Sequence, residues 1–142
     1  MISANQDLKP TNHRFELNAM TQIFHHYKKW EDFKNGMYSK SNVFSDHSLI
    51  NLATLVLSDE SLCYSAMKRV VKEWPFATEH NLTNLGQNRR AWLGQAACCI
   101  THAVPEDLTK IAWNNLGIEN QMRANNIADI IINEWEQCQK SI

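Results

Sequence analysis

The sequence predicts an all-α fold, a single-domain bundle of about six helices around a central helix near residues 88–103. Gly and Pro together supply only seven of the 142 residues, and apolar residues make up 44% of the chain. Apolar positions recur at steps of three or four residues, which places them on one face of a helix. A chain of this length can bury a core without disulfides or a metal ion.

The stretch from Asn88 to Ala103 is the best candidate for the central helix. We expect Asn88 to cap it, and Pro105 to lie just beyond its end. One face of this helix carries Trp92, Ala96, Cys99, Ile100 and Ala103. Small side chains cover most of the remaining surface, so neighbouring helices can approach from more than one side.

Three helices are predicted before the central helix. Residues 1–12 lack periodicity and are predicted as a flexible N-terminal arm, followed by a single helical domain over residues 13–142. The first helix runs from Phe15 to the Asn35-Gly36 stop signal. A second helix starts at Ser45 or Asp46, and a third follows Ser58-Asp59-Glu60 and continues until Pro75.

Residues 76–87 are predicted as a polar loop between the third helix and the central one. After the central helix, Pro105 with Glu106 and Asp107 is typical of a helix start. Leu108, Ile111 and Ala112 should face inwards in that helix, which ends at Leu116-Gly117. The last helix is predicted from about Ile118 to Gln139, with an apolar stripe formed by Ala124, Ile127, Ala128, Ile131, Trp135 and Cys138.

The amino terminus has no basic and apolar signal, and no apolar run is long enough to span a membrane. We therefore expect a cytosolic protein without a membrane partner. In that compartment the four cysteines, Cys63, Cys98, Cys99 and Cys138, are predicted as reduced core residues.

The net charge of −1 gives no global reason to expect a nucleic-acid partner. However, residues 61–103 carry a net charge of +3 and residues 104–142 a net charge of −3. This asymmetry indicates either a binding surface or attraction between the two halves. Arg89 and Arg90 stand in the first turn of the central helix, where they oppose its macrodipole and require something negative nearby. An internal carboxylate and an external anion are both consistent with this position.

Our preferred hypothesis is a non-enzymatic protein that binds a protein partner. The polar segment leading into the central helix is the candidate surface because such segments often carry function. The predicted partner-binding residues are Glu79, His80, Asn81, Arg89 and Arg90.

Nucleic-acid binding is the first alternative. Lys68, Arg69 and Lys72 lie on the polar face of the third helix, where they could contact phosphates. Basic faces are also common on soluble proteins, and no series of aromatic residues accompanies this one.

An enzyme or metal site around Cys98, His102 and His80 is the second alternative. Cys98 and His102 are an i, i+4 pair able to hold one ion, but a structural zinc site normally needs four ligands. The chain also lacks a phosphate-binding glycine loop, HExxH and GxSxG. We accordingly expect no metal, no cofactor and no catalytic residue.

Five short motifs of this chain resemble segments of other proteins. They are Glu73-Trp74-Pro75, Glu79-His80-Asn81-Leu82-Thr83, the run from Asn88 to Cys99, Pro105-Glu106-Asp107-Leu108-Thr109 and Ala112-Trp113. Across residues 30–137 the chain resembles a group of small uncharacterised helical proteins encoded in bacteriophages and prophages. The resemblance implies an accessory protein that works in the cytosol of a bacterial host, with a host or phage protein as its partner, and it carries over no catalytic residue.

Overall fold

The computed structural model of the protein describes Glu31 and residues 44–140. Residues 44–140 form helices without any strand, which confirms the all-α prediction. The helices are α1 (Asp46–Ser58), α2 (Glu60–Glu73), α3 (Pro75–Asn84), α4 (Arg89–Cys99), α5 (Glu106–Asn115) and α6 (Ile118–Lys140). A 3-10 turn, Gly86–Asn88, joins α3 to α4. The predicted N-terminal arm and, apart from Glu31, the predicted first helix lie outside the described residues.

Side-chain caps set the boundaries of α1 and α2. The Ser45 hydroxyl accepts a hydrogen bond from the Ser48 amide at 3.2 Å, which confirms the predicted start of α1. Asp59 serves both helices, because its amide donates to the Leu55 carbonyl while its carboxylate accepts from the Leu62 amide at 2.9 Å. One residue therefore ends α1 and begins α2.

The prediction of a polar loop over residues 76–87 is wrong, because Pro75 begins α3. Proline is well tolerated at the first helical position, where its missing N–H has no partner to lose and its φ already suits the helix. Only Ala77, Thr78 and Leu82 of α3 are buried, so its apolar periodicity is weak. The asparagines that suggested a loop instead bond within the helix.

Helix α4 is central, as predicted, and contacts each of the other five helices. From Trp92 onwards every residue is buried except Gln95, which is half-buried. Its alanine and cysteine side chains are small enough for the neighbouring helices to approach closely. Leu93, Ala96, Ala97, Cys98 and Cys99 are 0% exposed, so this helix faces protein on all sides along its second half.

The ends of α4 differ from the prediction. Asn88 precedes the helix, but its side chain makes no capping hydrogen bond. The helix also stops at Cys99 rather than Ala103, because Ala103 adopts a left-handed φ of 56°. The Val104 amide then reaches back to the Cys98 carbonyl at 3.2 Å, which closes the end of the helix.

Helices α5 and α6 begin and end close to the predicted positions, with two corrections to their inner faces. Ile111 is 42% exposed, because α5 buries the adjacent ridge of Leu108, Thr109 and Ala112. Cys138 is also exposed, because it lies in the last turns of α6, beyond the buried stripe that ends at Ile132.

Candidate functional site

A groove of about 720 Å³ lies between α3 and the C-terminal part of α6. Helix α3 contributes positions at three- and four-residue spacing on the side away from its buried residues. The lining residues are Phe76, Glu79, His80, Thr83 and Asn84 from α3, with Trp135, Glu136, Gln139 and Lys140 from α6. We call this surface the α3–α6 groove.

The groove combines aromatic walls with carboxylates. Phe76 and Trp135 are half-buried, while the Glu79 side chain is exposed. Glu136 accepts a hydrogen bond from Arg89 Nη1 at 2.9 Å, so its charge is partly offset from within the protein. Lys140 adds a positive charge to the lining, so a group that has both an apolar body and a positive charge is suited to the surroundings of Glu79.

The structure separates the predicted partner-binding residues. Glu79 and His80 line the groove, whereas Asn81 is half-buried and donates from Nδ2 to the Ala77 carbonyl at 2.8 Å. The Asn81 amide therefore belongs to the internal bonding of α3. Arg89 and Arg90 lie next to the groove, on the wall of a smaller depression of about 350 Å³.

Both arginines meet carboxylates of α6. Arg89 pairs with Glu136 at 2.9 Å, and Arg90 Nη1 lies 3.6 Å from Asp129 Oδ2. Each arginine therefore has an internal carboxylate beside it, at hydrogen-bond distance for Arg89 and farther away for Arg90. These contacts join the positive and negative segments of the chain, so part of the predicted charge asymmetry is attraction between them.

Sequence reasoning missed the α6 half of the groove. Trp135 was placed in the core stripe, and Glu136, Gln139 and Lys140 were given no role. The sequence held one signal for Glu136, because Arg89 and Arg90 required carboxylates nearby. Several carboxylates were available in the sequence, however, and no local pattern selects Glu136 and Asp129 among them.

The candidate nucleic-acid residues lie along the outer face of α2. Lys68 Nζ contacts Glu134 at 2.9 Å, and Arg69 Nε contacts Glu73 at 2.9 Å. The Lys68 contact lowers the pKa of the Glu134 carboxyl, and the same hydrogen bond raises the pKa of Lys68. Two of the three cations are thus offset by carboxylates, and Lys72 is exposed beside them.

The Cys98 thiol named in the enzyme alternative is buried, and so is the Cys63 thiol. Burial raises the pKa of the Cys63 thiol to about 11 and holds the pKa of Cys98 well above its usual range. Thiols in such surroundings remain protonated and are poor nucleophiles near neutral pH. His102 is half-buried at the end of α4, where its Nδ1 lies 3.1 Å from the Ala97 carbonyl, while His80 lies on the α3–α6 groove.

Residues 44–140 and Glu31 contain no cluster of three or more His, Cys, Asp or Glu side chains arranged to hold a metal ion. None of the helices in that part of the chain has the length and apolar character needed to cross a bilayer.

Comparison of the chain with protein-family models, curated proteins and solved structures gave no match. The case for a function therefore depends on the geometry of the described residues.

Proposed function

We propose that this protein is a non-enzymatic accessory protein that acts by binding another protein in the α3–α6 groove. One observation carries the proposal, namely a groove of about 720 Å³ whose walls include two aromatic side chains and the exposed carboxylate of Glu79. Large grooves between two helices are suitable for a segment of a partner protein, whose side chains enter at regular spacing.

The chemistry of the groove defines the partner segment. Phe76 and Trp135 favour an apolar side chain or the flat face of a guanidinium group. Glu79 favours a cation at the same place. The partner should therefore present a Lys or Arg next to an apolar residue. Electrostatic complementarity of this kind increases both specificity and the rate of association.

The setting we propose is the cytosol of a bacterial host, with a host or phage protein as the partner. The motif resemblance to small phage and prophage proteins supports this setting. Helix α4 contains all but one residue of the longest stretch of that resemblance, and α3, which contains the stretch from Glu79 to Thr83, supplies one wall of the groove.

Site-specific photo-cross-linking in the full chain tests the proposal. A benzophenone amino acid at Thr83, an exposed groove position, should give a discrete adduct with one partner in bacterial cells. The same probe at Asn133, an exposed α6 position outside the groove lining, is the control and should give no such adduct. Glu79→Arg in the Thr83 probe protein should weaken the adduct about tenfold, because it replaces attraction by repulsion.

Competition by a peptide tests whether the adduct depends on the basic residue of the partner. A synthetic peptide from the captured protein, covering its basic and apolar segment, should compete with the adduct. Its variant with Gln in place of the Lys or Arg should compete about tenfold less well. Equal cross-linking from Thr83 and Asn133, or an adduct that Glu79→Arg leaves unchanged, would remove the groove as the binding surface.

A further inference from the structure

A second, more enclosed cavity lies between α4 and α5, away from the α3–α6 groove. Its volume is about 200 Å³, and Leu57 of α1 is part of its lining. The apolar part of the wall is formed by Leu57, Ala91, Gly94 and Trp113. A cavity of roughly 150 Å³ is already sufficient for a benzene ring, so this one can hold a single ring with a small substituent.

Gly94 keeps this cavity open. Its φ lies outside the left-handed region, so the backbone does not require glycine here. A Cβ at this position would meet only Leu57 Cδ2, at 3.8 Å, which is ordinary van der Waals contact. Close helix packing therefore does not explain the glycine either. Alanine stabilises a helix more than glycine does. Gly94 therefore lowers the stability of α4, and it leaves space beside Leu57.

The charged groups of this cavity all have one sign. Arg90 and Lys110 are among its nine lining residues, and no carboxylate is. Arg90 is only loosely paired, since its Nη1 lies 3.6 Å from Asp129 Oδ2 and both side chains are about half exposed. Lys110 is exposed, at the mouth of the cavity on α5. A carboxylate placed there would meet two cations, and at Arg90 it would compete with Asp129.

From this combination we propose that the cavity binds a small carboxylate with an apolar body the size of one ring. The apolar body would contact Leu57, Gly94 and Trp113, and the carboxylate would lie between Arg90 and Lys110. The predominantly apolar wall disfavours inorganic anions such as phosphate, which have no apolar surface to bury. This site is separate from the α3–α6 groove and does not depend on the protein partner.

The test uses benzoate as the probe and benzyl alcohol as the neutral match, added to the full ¹⁵N-labelled chain. Benzoate should shift the Gly94 amide and Trp113 indole resonances in a saturable manner, with benzyl alcohol binding about tenfold more weakly. Lys110→Gln should weaken benzoate binding about tenfold. Gly94→Ala should weaken it while raising the melting temperature, because the added methyl both fills the cavity and favours the helix.

Lys72→Gln, which removes a charge elsewhere on the surface, is the matched control and should leave the benzoate affinity unchanged. The proposal fails if benzoate shifts neither resonance at about 10 mM, a concentration about tenfold above a Kd of 1 mM. It also fails if benzyl alcohol binds as tightly as benzoate, or if Gly94→Ala binds benzoate as well as the wild type. Melting curves of each variant show directly whether the fold is retained.

Discussion

Helices α3 and α4 are joined by a single 3-10 turn, yet they differ in what surrounds them. Helix α4 is enclosed along most of its length, whereas α3 buries only three residues and lines a groove with five others. The difference indicates that the small residues of α4 specify packing. The mixed polar and aromatic face of α3 lines the α3–α6 groove, where we propose that a partner binds.

The largest expected effect comes from truncating the enclosed helix. Leu93 is 0% exposed, and Leu93→Ala should lower the free energy of unfolding by about 2–5 kcal/mol, because it loses buried surface and leaves a cavity. Urea denaturation monitored by circular dichroism measures this. The exposed Ile118 provides the control, and Ile118→Ala should change stability by less than about 0.5 kcal/mol. Equal losses for the two variants would contradict an enclosed α4.

A smaller effect on the free energy of unfolding should come from the buried Cys63 thiol at alkaline pH. Burial raises the pKa of Cys63 from 9.0 to about 11, so between these values the thiol ionises in the unfolded chain but not in the folded one. The folded state then binds more protons, and stability falls as pH rises through this window, by about 2 kcal/mol for this thiol. Cys63→Ala should show a shallower loss between pH 9 and 11, measured against wild type by urea denaturation at each pH.

The control for this prediction is Cys138, which is exposed in the same chain. Cys138→Ala should leave the slope of stability against pH unchanged. In the native protein, a thiol reagent should label Cys138 quickly and the three buried cysteines only on unfolding. Rapid labelling of more than one thiol would show that the core is open to solvent.

The ion pair between α4 and α6 should contribute less to the free energy of unfolding than the burial of Leu93 or Cys63. Arg89 and Glu136 are about one-third and two-fifths exposed, so solvent screens their attraction. A double-mutant cycle with Arg89→Met and Glu136→Gln should give a coupling free energy of about 0.5 kcal/mol, which decreases with added salt. A coupling above about 2 kcal/mol would mean that the pair is a major contributor to stability.

The smallest expected effect on stability lies on the groove face of α3. Glu79 is exposed, and Glu79→Gln should change the free energy of unfolding by less than about 0.5 kcal/mol. Its effect on partner binding should be larger than its effect on stability, because the side chain faces the groove. Thermal melts and the Thr83 cross-linking yield, measured on the same preparations, separate the two effects.

The sequence was sufficient to predict five of the six described helices. Apolar spacing identified α1, α2, α5 and α6, and the small residues after Trp92 correctly indicated an enclosed helix. These features are local, because a face of a helix is determined by residues three and four positions apart. The negative partners of Arg89 and Arg90 were also expected, although their identity was not.

Helix α3 and half of the groove could not be predicted in the same way. Pro75 was interpreted as the end of α2 but also begins α3, and the asparagines at positions 81 and 84 resemble those of a loop. In the structure their amides donate to carbonyls one turn earlier, Ala77 and His80. The α6 wall is brought to α3 by tertiary packing over about fifty residues of chain, for which no short-range pattern exists.

The most direct test measures stability and partner cross-linking side by side for Leu93→Ala and Glu79→Arg, each carrying the Thr83 probe. The account predicts that Leu93→Ala lowers the melting temperature but still forms the adduct at temperatures where it is folded. Glu79→Arg should melt like the wild type and lose most of the adduct. A Glu79→Arg protein that is destabilised as strongly as Leu93→Ala, or that keeps the full adduct yield, would contradict the assignment of packing to α4 and partner binding to α3.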